Sequence, residues 1–273
     1  MIPDELAQRL GEMGQDPDLI YSTRTRKAGP EGTEPVPWMD RFYFLDDAQA
    51  KPEFVMDAAS FVPVIALDPK PEDRVMDMAA APGMKTVLMS MLMGNRGSIT
   101  ACDVDRKRIL RLRSNIRKFN CRICETIRCD ASRYKIKSEG EKFDKVLLDA
   151  PCGGEGMVMK QKKLFSVWSM RRIARLQKVQ KKMITRGFGL LREGGTLVYS
   201  TCTFAPEENE EVVEWLAENS GAKIEKIEIG GLIRSAGIME WRGKKFPNHE
   251  KFIRIWPYQN NTNGMFVSRI KKV

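Results

Sequence analysis

The sequence predicts an α/β fold: a doubly wound, mostly parallel sheet that ends in an antiparallel hairpin. Three observations carry this. From Arg74 onward, short β-branched and apolar runs alternate with longer amphipathic stretches, the pattern of strands joined by helical crossovers. Several of the strand-like runs close on an aspartate, as strands that line a ligand crevice do. Near the C-terminus the alternation stops, and two strand-like runs follow each other with only a turn between them. A chain of 273 residues accommodates one large domain of this kind with an appendage.

The elements follow in order. Residues 1–53 are polar and turn-rich, with "RKAGPEGTEPVPW" (26–38) as a loop and "FYFL" (42–45) as a short strand. They form an N-terminal extension to a domain covering 54–273. In "DAASFVPVIAL" (57–67), Asp57 is placed to cap a short apolar helix. Strands are expected at "RVMDMA" (74–79), "SITACD" (98–103), "ETIRCD" (125–130), "DKVLLDA" (144–150) and "TLVYST" (196–201). Helices are expected around 85–93, 105–119, 169–191 and 207–219. In the last of these, Pro206 suits a first helical position, and Glu207 and Glu208 suit the positive end of the dipole. "KIEKIEI" (223–229), "FIRIWPY" (252–258) and "MFVSRIKKV" (265–273) complete the sheet.

Composition narrows the function. Lys+Arg number 46 against 36 Asp+Glu, a formal charge of +10, which favours a polyanionic partner such as nucleic acid. The stretches "RKRILRLRSNIRK" (106–118) and "RRIARLQKVQKKMITR" (171–186) carry much of this charge around apolar stripes. Each is either a solvated helix face or a phosphate-binding one. No long uncharged apolar segment is present and the start is unlike a signal peptide, so a soluble, cytoplasmic protein is expected. The six cysteines lack the spacing of a disulfide scaffold. Cys121, Cys124 and Cys129 have zinc-like spacing but no fourth ligand, the sole histidine being the distant His249, so no metal is expected. A single histidine also disfavours a Ser-His-Asp or Cys-His engine.

The crevice is the more informative region. Asp103, Asp130 and Asp149 end three successive strands, and Asp103 lies where an acid meets ribose hydroxyls. The first strand runs into "AAAPGMKT" (79–86), which has one glycine where a dinucleotide fingerprint needs three, and no Walker loop occurs. A nucleoside-bearing cofactor without pyrophosphate fits this turn, and S-adenosylmethionine is the expected one. Lys85 in the following first turn opposes the helix dipole. It is either a tolerated surface lysine or a cation facing the cofactor carboxylate or an RNA phosphate. Cys202, at another strand end, reads on these residues alone as a small buried hydrophobe in preference to a thiol in the crevice.

Four stretches together resemble the Nop/Sun family of S-adenosylmethionine-dependent RNA cytosine-5 methyltransferases. They are "MDAASFVPVIALDPKPEDRV" (56–75), "MDMAAAPGMKT" (76–86), "LLDAPCGGEGM" (147–157) and "YSTCTFAPEENE" (199–210). The pattern is most similar to a bacterial 16S ribosomal RNA branch and its archaeal relatives. The resemblance implies a class I methyltransferase (Rossmann-like) fold acting on ribosomal or transfer RNA. It implies that Ala79, Ala80, Ala81, Pro82, Gly83, Met84, Lys85 and Asp103 hold the cofactor, with Arg108, Asp130 and Asp149 completing the pocket. Cys202 would be the nucleophile, Cys152 would serve its release, and Asp149, with Lys85 nearby, would steady the cytosine ring.

This sequence departs from the family pattern in three ways. Ala79 stands where a cysteine is usual, Met84 replaces a second glycine, and the N-terminal module with its R-x-N-T signature is not evident in 1–53, where "RTRK" is a poor substitute. RNA docking is therefore expected to be reduced or supplied by a partner protein, with the chain itself monomeric. The segment 248–265 adds either a substrate loop or packing, Trp256 being open to both. Two alternatives remain. A DNA cytosine methyltransferase would use the Cys152 motif as nucleophile, but "PCGG" lacks the expected glutamine. A non-catalytic RNA-binding or assembly factor would keep the fold alone.

Overall fold

The computed structural model describes residues 2–16, 20, 56–157 and 160–273. Helix α1 (Asp4–Glu12) precedes the domain. At the domain start, the Asp57 carboxylate accepts the Ala59 N–H, capping a short 3-10 turn that runs into α2 (Val62–Leu67). Then follow β1 (Arg74–Asp77), α3 (Met84–Leu92), β2 (Ser98–Asp103), α4 (Arg106–Lys118), β3 (Cys124–Arg128) and β4 (Phe143–Asp149). A short α5 (Gln161–Phe165) leads to the long α6 (Met170–Leu190), β5 (Leu191–Thr201), α7 (Glu210–Ser220) and β6 (Lys223–Glu225). The chain closes with a small hairpin of β7 (Glu240–Trp241) and β8 (Lys244–Lys245), then β9 (Ile253–Ile255), α8 (Pro257–Asn260) and β10 (Met265–Lys271).

The main sheet runs β3-β2-β1-β4-β5-β10-β6. The first five strands are parallel, and β10 is antiparallel to β5. The predicted terminal hairpin exists as β9–β10, but β10 does not lie at the edge. It is inserted between β5 on one side and β9 and β6 on the other. Strand alternation feeds two cores. Met76, Val146, Leu148, Leu197 and Tyr199 face α6 and α7, while Val75, Leu147 and Val198 face α2 and α3. Gly187 brings α6 hard against the sheet: a Cβ there would lie 2.7 Å from Met78 Sδ and 2.9 Å from Leu197 Cδ1.

Five expectations need correction. The helix expected at 207–219 is two elements. A 3-10 turn at Pro206–Glu208 ends at Asn209 (φ −114°, ψ −98°), whose buried amide ties to Thr201 and Thr203 O, and α7 starts afresh. Glu207 and Glu208 consequently serve no helix dipole. The strand expected at 223–229 stops at Glu225, and Pro257, fit for a first helical position, turns the end of "FIRIWPY" into α8. Cys129 follows β3 instead of lying in it. Residues 1–53 are not only loop. In α1, Leu6 and Leu10 pack with Ile20 onto Phe204 and Trp256 of the domain. "FYFL" and "RTRK" lie outside the described residues.

Arg9 anchors α1. It is 1 % exposed, donates to both carboxylate oxygens of Glu207 (2.6 and 3.1 Å) and stacks on Trp241. Arg9→Met leaves the half-buried Glu207 with the Trp241 N–H but no counter-charge, and losing the charge-assisted bonds costs ~1.5–3 kcal/mol. The expected outcome in denaturant titration is a loss of that size, with a smaller loss in Arg9→Met/Glu207→Gln.

Candidate active site

At the sheet's topological switch point, between β1 and β4, the carboxyl ends of the parallel strands open into a cleft of about 910 Å³. Loops after β1, β2, β4 and β5 line it. Ala79, Ala81, Pro82, Lys85, Asp103, Arg108, Asp130, Asp149, Cys152 and Cys202 all face this cleft, as expected of them. Ala80 and Met84 line a smaller cavity of about 250 Å³ beside it, together with Asp77 and Ser60. Gly83 lines neither. It has φ +109°, and a Cβ there would lie 2.7 Å from Leu112 Cδ1, so its role is to let α3 pack on α4.

The β1–α3 turn is held by the acid from the next strand. Asp103 is buried; its Oδ2 accepts the Ala81 N–H (3.2 Å) and its Oδ1 the Asp105 N–H (3.0 Å). Arg108 lies 3.4 Å from Asp103 Oδ2 and donates to Ala81 O. A carboxylate has about four lone-pair sites, so Asp103 shapes the turn and keeps capacity for a hydroxyl donor. Asp130, about half exposed, accepts from Ser132 N and Oγ.

On the opposite wall the two strand-end thiols meet. Cys152 Sγ and Cys202 Sγ are 3.1 Å apart, and the Cys202 N–H donates to Cys152 Sγ at 3.3 Å. The hydrogen bond to Cys202, followed by burial, pushes the Cys152 thiol well above its ordinary range. In the contact between the two thiols either sulfur can donate.

Lys85 resolves differently from either expectation. Its ammonium donates to Asp149 Oδ2 at 2.7 Å, while Ser200 Oγ donates to Asp149 Oδ1 at 2.8 Å. Burial works against the Lys85 charge, but Asp149 outweighs it and raises the lysine above its ordinary value. The anion that Lys85 faces is thus a neighbouring side chain.

Several site residues were not foreseen. Ser60, Asn263 and Met265 also line the cleft, so segment 248–265 contributes through Asn263 and Met265, while Trp256 packs on Phe204 at 4.8 Å. Asp77 is buried beside Lys85 and accepts from Thr86 Oγ1 (2.7 Å). Glu155, Glu208 and Gln180 are buried behind the cysteines. Gln180 could have been noticed, as an amide on the apolar stripe of α6. At the mouth of the cleft stand Arg111, Lys160, Lys163 and Arg172, and Arg171, Arg172, Arg175 and Lys178 line a groove beside it. Among the described residues, no three His, Cys, Asp or Glu side chains converge as a metal site, and no helix is long and apolar enough to cross a membrane.

A Rossmann-like sheet with a small-residue turn, an acid ending the second strand and a ligand cleft at the switch point defines a class I S-adenosylmethionine-dependent methyltransferase. Residues 64–271 match the 16S rRNA methyltransferase RsmB/F family model. The tRNA (cytosine(49)-C(5))-methyltransferase of Pyrococcus abyssi is 37 % identical over 251 residues, 88 % of this chain and 80 % of that one. Ribosomal RNA small subunit methyltransferase F of Salmonella heidelberg is 36 % identical over 255 residues, 88 % of this chain and 51 % of that one. The chain thus spans about half the length of this second relative. The solved structure of NSun6 from Pyrococcus horikoshii with SFG, an analogue of S-adenosylmethionine, superposes with a TM-score of 0.68 at 34 % identity, covering 80 % of this chain and 52 % of that one. The chain belongs to the RsmB/F methyltransferase family, within the RNA cytosine-C5 methyltransferases that the sequence motifs resemble.

Two outcomes follow from this geometry. Asp103→Ala removes the acceptor that holds Ala81 and faces the cleft; a lost charged hydrogen bond costs ~1.5–3 kcal/mol, so calorimetry should give S-adenosylmethionine affinity weaker by about tenfold or more. The second concerns pH. Burial, the main cause in both, pushes Asp77 up to about 7 and Glu208 up to about 8, from ordinary values of 3.8 and 4.5. Between the ordinary and raised values the folded state holds protons that the unfolded chain has lost, so stability falls as pH rises. Tm should decline from about pH 5 to about pH 8, and Asp77→Asn should flatten the lower part of that decline.

Proposed function

We propose that this protein transfers a methyl group to carbon 5 of a cytosine in structured RNA, ribosomal or transfer, through a covalent bond from Cys202. The observation that carries the reading is the meeting of two strand-end thiols, 3.1 Å apart, in the cleft that also holds the Lys85–Asp149 pair. Residues 54–273 form the catalytic domain on this reading. The basic rim of Arg111, Lys160, Lys163 and Arg172 meets RNA phosphates, and a partner protein assists the docking. The protein works as a monomer in the cytoplasm.

Carbon 5 of cytosine becomes nucleophilic only after something adds to carbon 6, and a thiolate is suited to that addition. The base must leave its stack to reach the cleft. S-adenosylmethionine, when bound, supplies the electrophilic methyl group. Ala79, Ala81, Pro82 and Asp103 would hold it, the alanine side chains leaving room for a ligand near the backbone. Cys202 Sγ forms the bond to carbon 6, and the displaced π electrons make carbon 5 attack the methyl group, whose bond to the sulfonium sulfur would break with its electron pair left on that sulfur. Lys85 and Asp149, paired at 2.7 Å, present both a donor and acceptors to the ring edge as charge develops there. Carbon 5 then loses its proton to a base, the electrons expel Cys202 from carbon 6, and the aromatic ring returns. Cys152, kept protonated beside Cys202, gives its hydrogen bond to the departing sulfur.

The two cysteines are separated by trapping. Incubated with S-adenosylmethionine and labelled RNA from cells lacking the gene, Cys202→Ala should neither methylate nor form an adduct. Cys152→Ala should still attack and stall as a covalent complex on denaturing gels. An adduct from Cys202→Ala that vanishes in Cys152→Ala would transfer the nucleophile role to Cys152.

A further inference from the structure

Two buried glutamates behind the cysteines cross over each other. Glu155 belongs to the loop of Cys152, yet its carboxylate serves the loop of Cys202. Its Oε2 accepts Thr203 Oγ1–H at 2.9 Å and the Phe204 N–H at 2.8 Å. Glu208 belongs to the loop of Cys202 and serves the loop of Cys152, accepting the Gly153 N–H at 3.0 and 3.2 Å. Each glutamate is exposed by 1 % or less. Each is also fixed from α6 or its approach. Trp168 Nε1 donates to Glu155 Oε1 at 2.6 Å, and Gln180 Nε2 donates both to Glu208 Oε2 (2.7 Å) and to Pro151 O (2.9 Å).

From this crossing we infer that Glu155 and Glu208 are positioning residues, a reciprocal clamp that sets the separation of Cys152 and Cys202. The inference rests on the reading above for what the thiols do, but not for where they are held. Thr203 O–H, Phe204 N–H and Trp168 N–H converge on the Glu155 side chain, and Gly153 N–H and Gln180 N–H on that of Glu208, so each must offer acceptor oxygens to several donors. A neutral amide in place of Glu155 would turn its own N–H₂ toward one of those donors. The surrounding glycines are shaped to the same contact. A Cβ on Gly153 would lie 2.8 Å from Glu208 Oε1, and one on Gly156 would lie 2.6 Å from Gly264 O. The Gly156 N–H donates to Cys202 O at 2.9 Å, closing the pair of loops. Burying two carboxyl groups is costly without such donors, and the loop donors Gly153, Thr203 and Phe204 fall one or two residues from the thiols they would align. Packing alone would be met by apolar side chains.

The thiols themselves provide the ruler. In glutathione buffers, the two thiols of Cys152 and Cys202 react with one glutathione disulfide to give the protein disulfide and two glutathione thiols, so the equilibrium constant reports their effective concentration. It is read on the peptide pair carrying residues 152 and 202, apart from the other cysteines. Glu155→Gln and Glu208→Gln should each lower this constant about tenfold, with S-adenosylmethionine affinity unchanged and methyl transfer to RNA from cells lacking the gene reduced at least as much. Trp168→Phe and Gln180→Met keep both glutamates and remove one donor each, and should lower the constant about threefold, which covers the case in which a glutamate variant fails to fold. A wild-type constant in folded variants overturns the clamp. A lowered constant in a protein that methylates no RNA, wild type included, upholds the clamp and overturns the proposed function instead.

Discussion

The contact between Cys152 and Cys202 is the constraint around which the site is arranged. Two thiols from different loops can meet at 3.1 Å only if their strands are neighbours in register. β4 and β5 are such neighbours, with Asp149 opposite Ser200 at their carboxyl ends. Parallel pairing carries both chains off the sheet in the same direction, so each strand ends three or fewer residues before its cysteine. Beyond that point no ladder holds the loops, and side chains take over: Ser200 bonds Asp149 across the last rung, Asn209 ties Thr201 and Thr203, and Arg254 reaches from β9 to Phe204 O at 3.0 Å while paired with the buried Glu210.

This arrangement puts an unusual number of acids out of water. Asp77, Glu155, Glu208 and Glu210 are all buried around the cleft or just behind it. Glu210 is met by the Arg254 guanidinium at 2.6 Å, whereas Glu155 accepts from Trp168, Thr203 and Phe204, and Glu208 from Gly153 and Gln180. Those donors lower the cost without removing it, which is why Glu208 still titrates near 8. A site built in this way trades global stability for fixed geometry, a pattern common where chemistry needs preorganised groups.

Local and positional signals in the sequence were reliable. The parallel strand runs, the Asp57 cap and the acids Asp103 and Asp149 at strand ends are each determined by a few adjacent residues and are legible, whereas Asp130 lies two residues past β3. What was not legible depends on partners far along the chain. Lys85 reads as either a surface lysine or a cation facing an external anion because Asp149, its partner, lies 64 residues away. Glu207 and Glu208 looked like dipole-complementing residues of a helix. Instead, Asn209 interrupts that helix because its amide is required by Thr201 and Thr203, and the two acids are freed for separate duties. Likewise Asp57 both caps its own turn and accepts from Thr262 and Asn263, fastening the loop that brings Asn263 to the cleft.

The divergence of Glu207 and Glu208 links the N-terminal helix to the chemistry. The two residues are adjacent and lie in the same 3-10 turn, yet they point apart. Glu208 faces inward to Gly153 beside Cys152, and Glu207 faces outward to Arg9 and to Trp241 Nε1 at 3.0 Å. Phe204, two residues beyond Cys202, is covered by Leu6 and Leu10 of α1 together with Trp256. Helix α1 therefore grips the outer side of the loop whose inner side aligns the thiols. A segment with the composition of a polar extension thus acts in part as a wall of the active-site loop: the backbone between Phe204 and Glu208 has few ladder bonds of its own, and its conformation is set by what packs on either side.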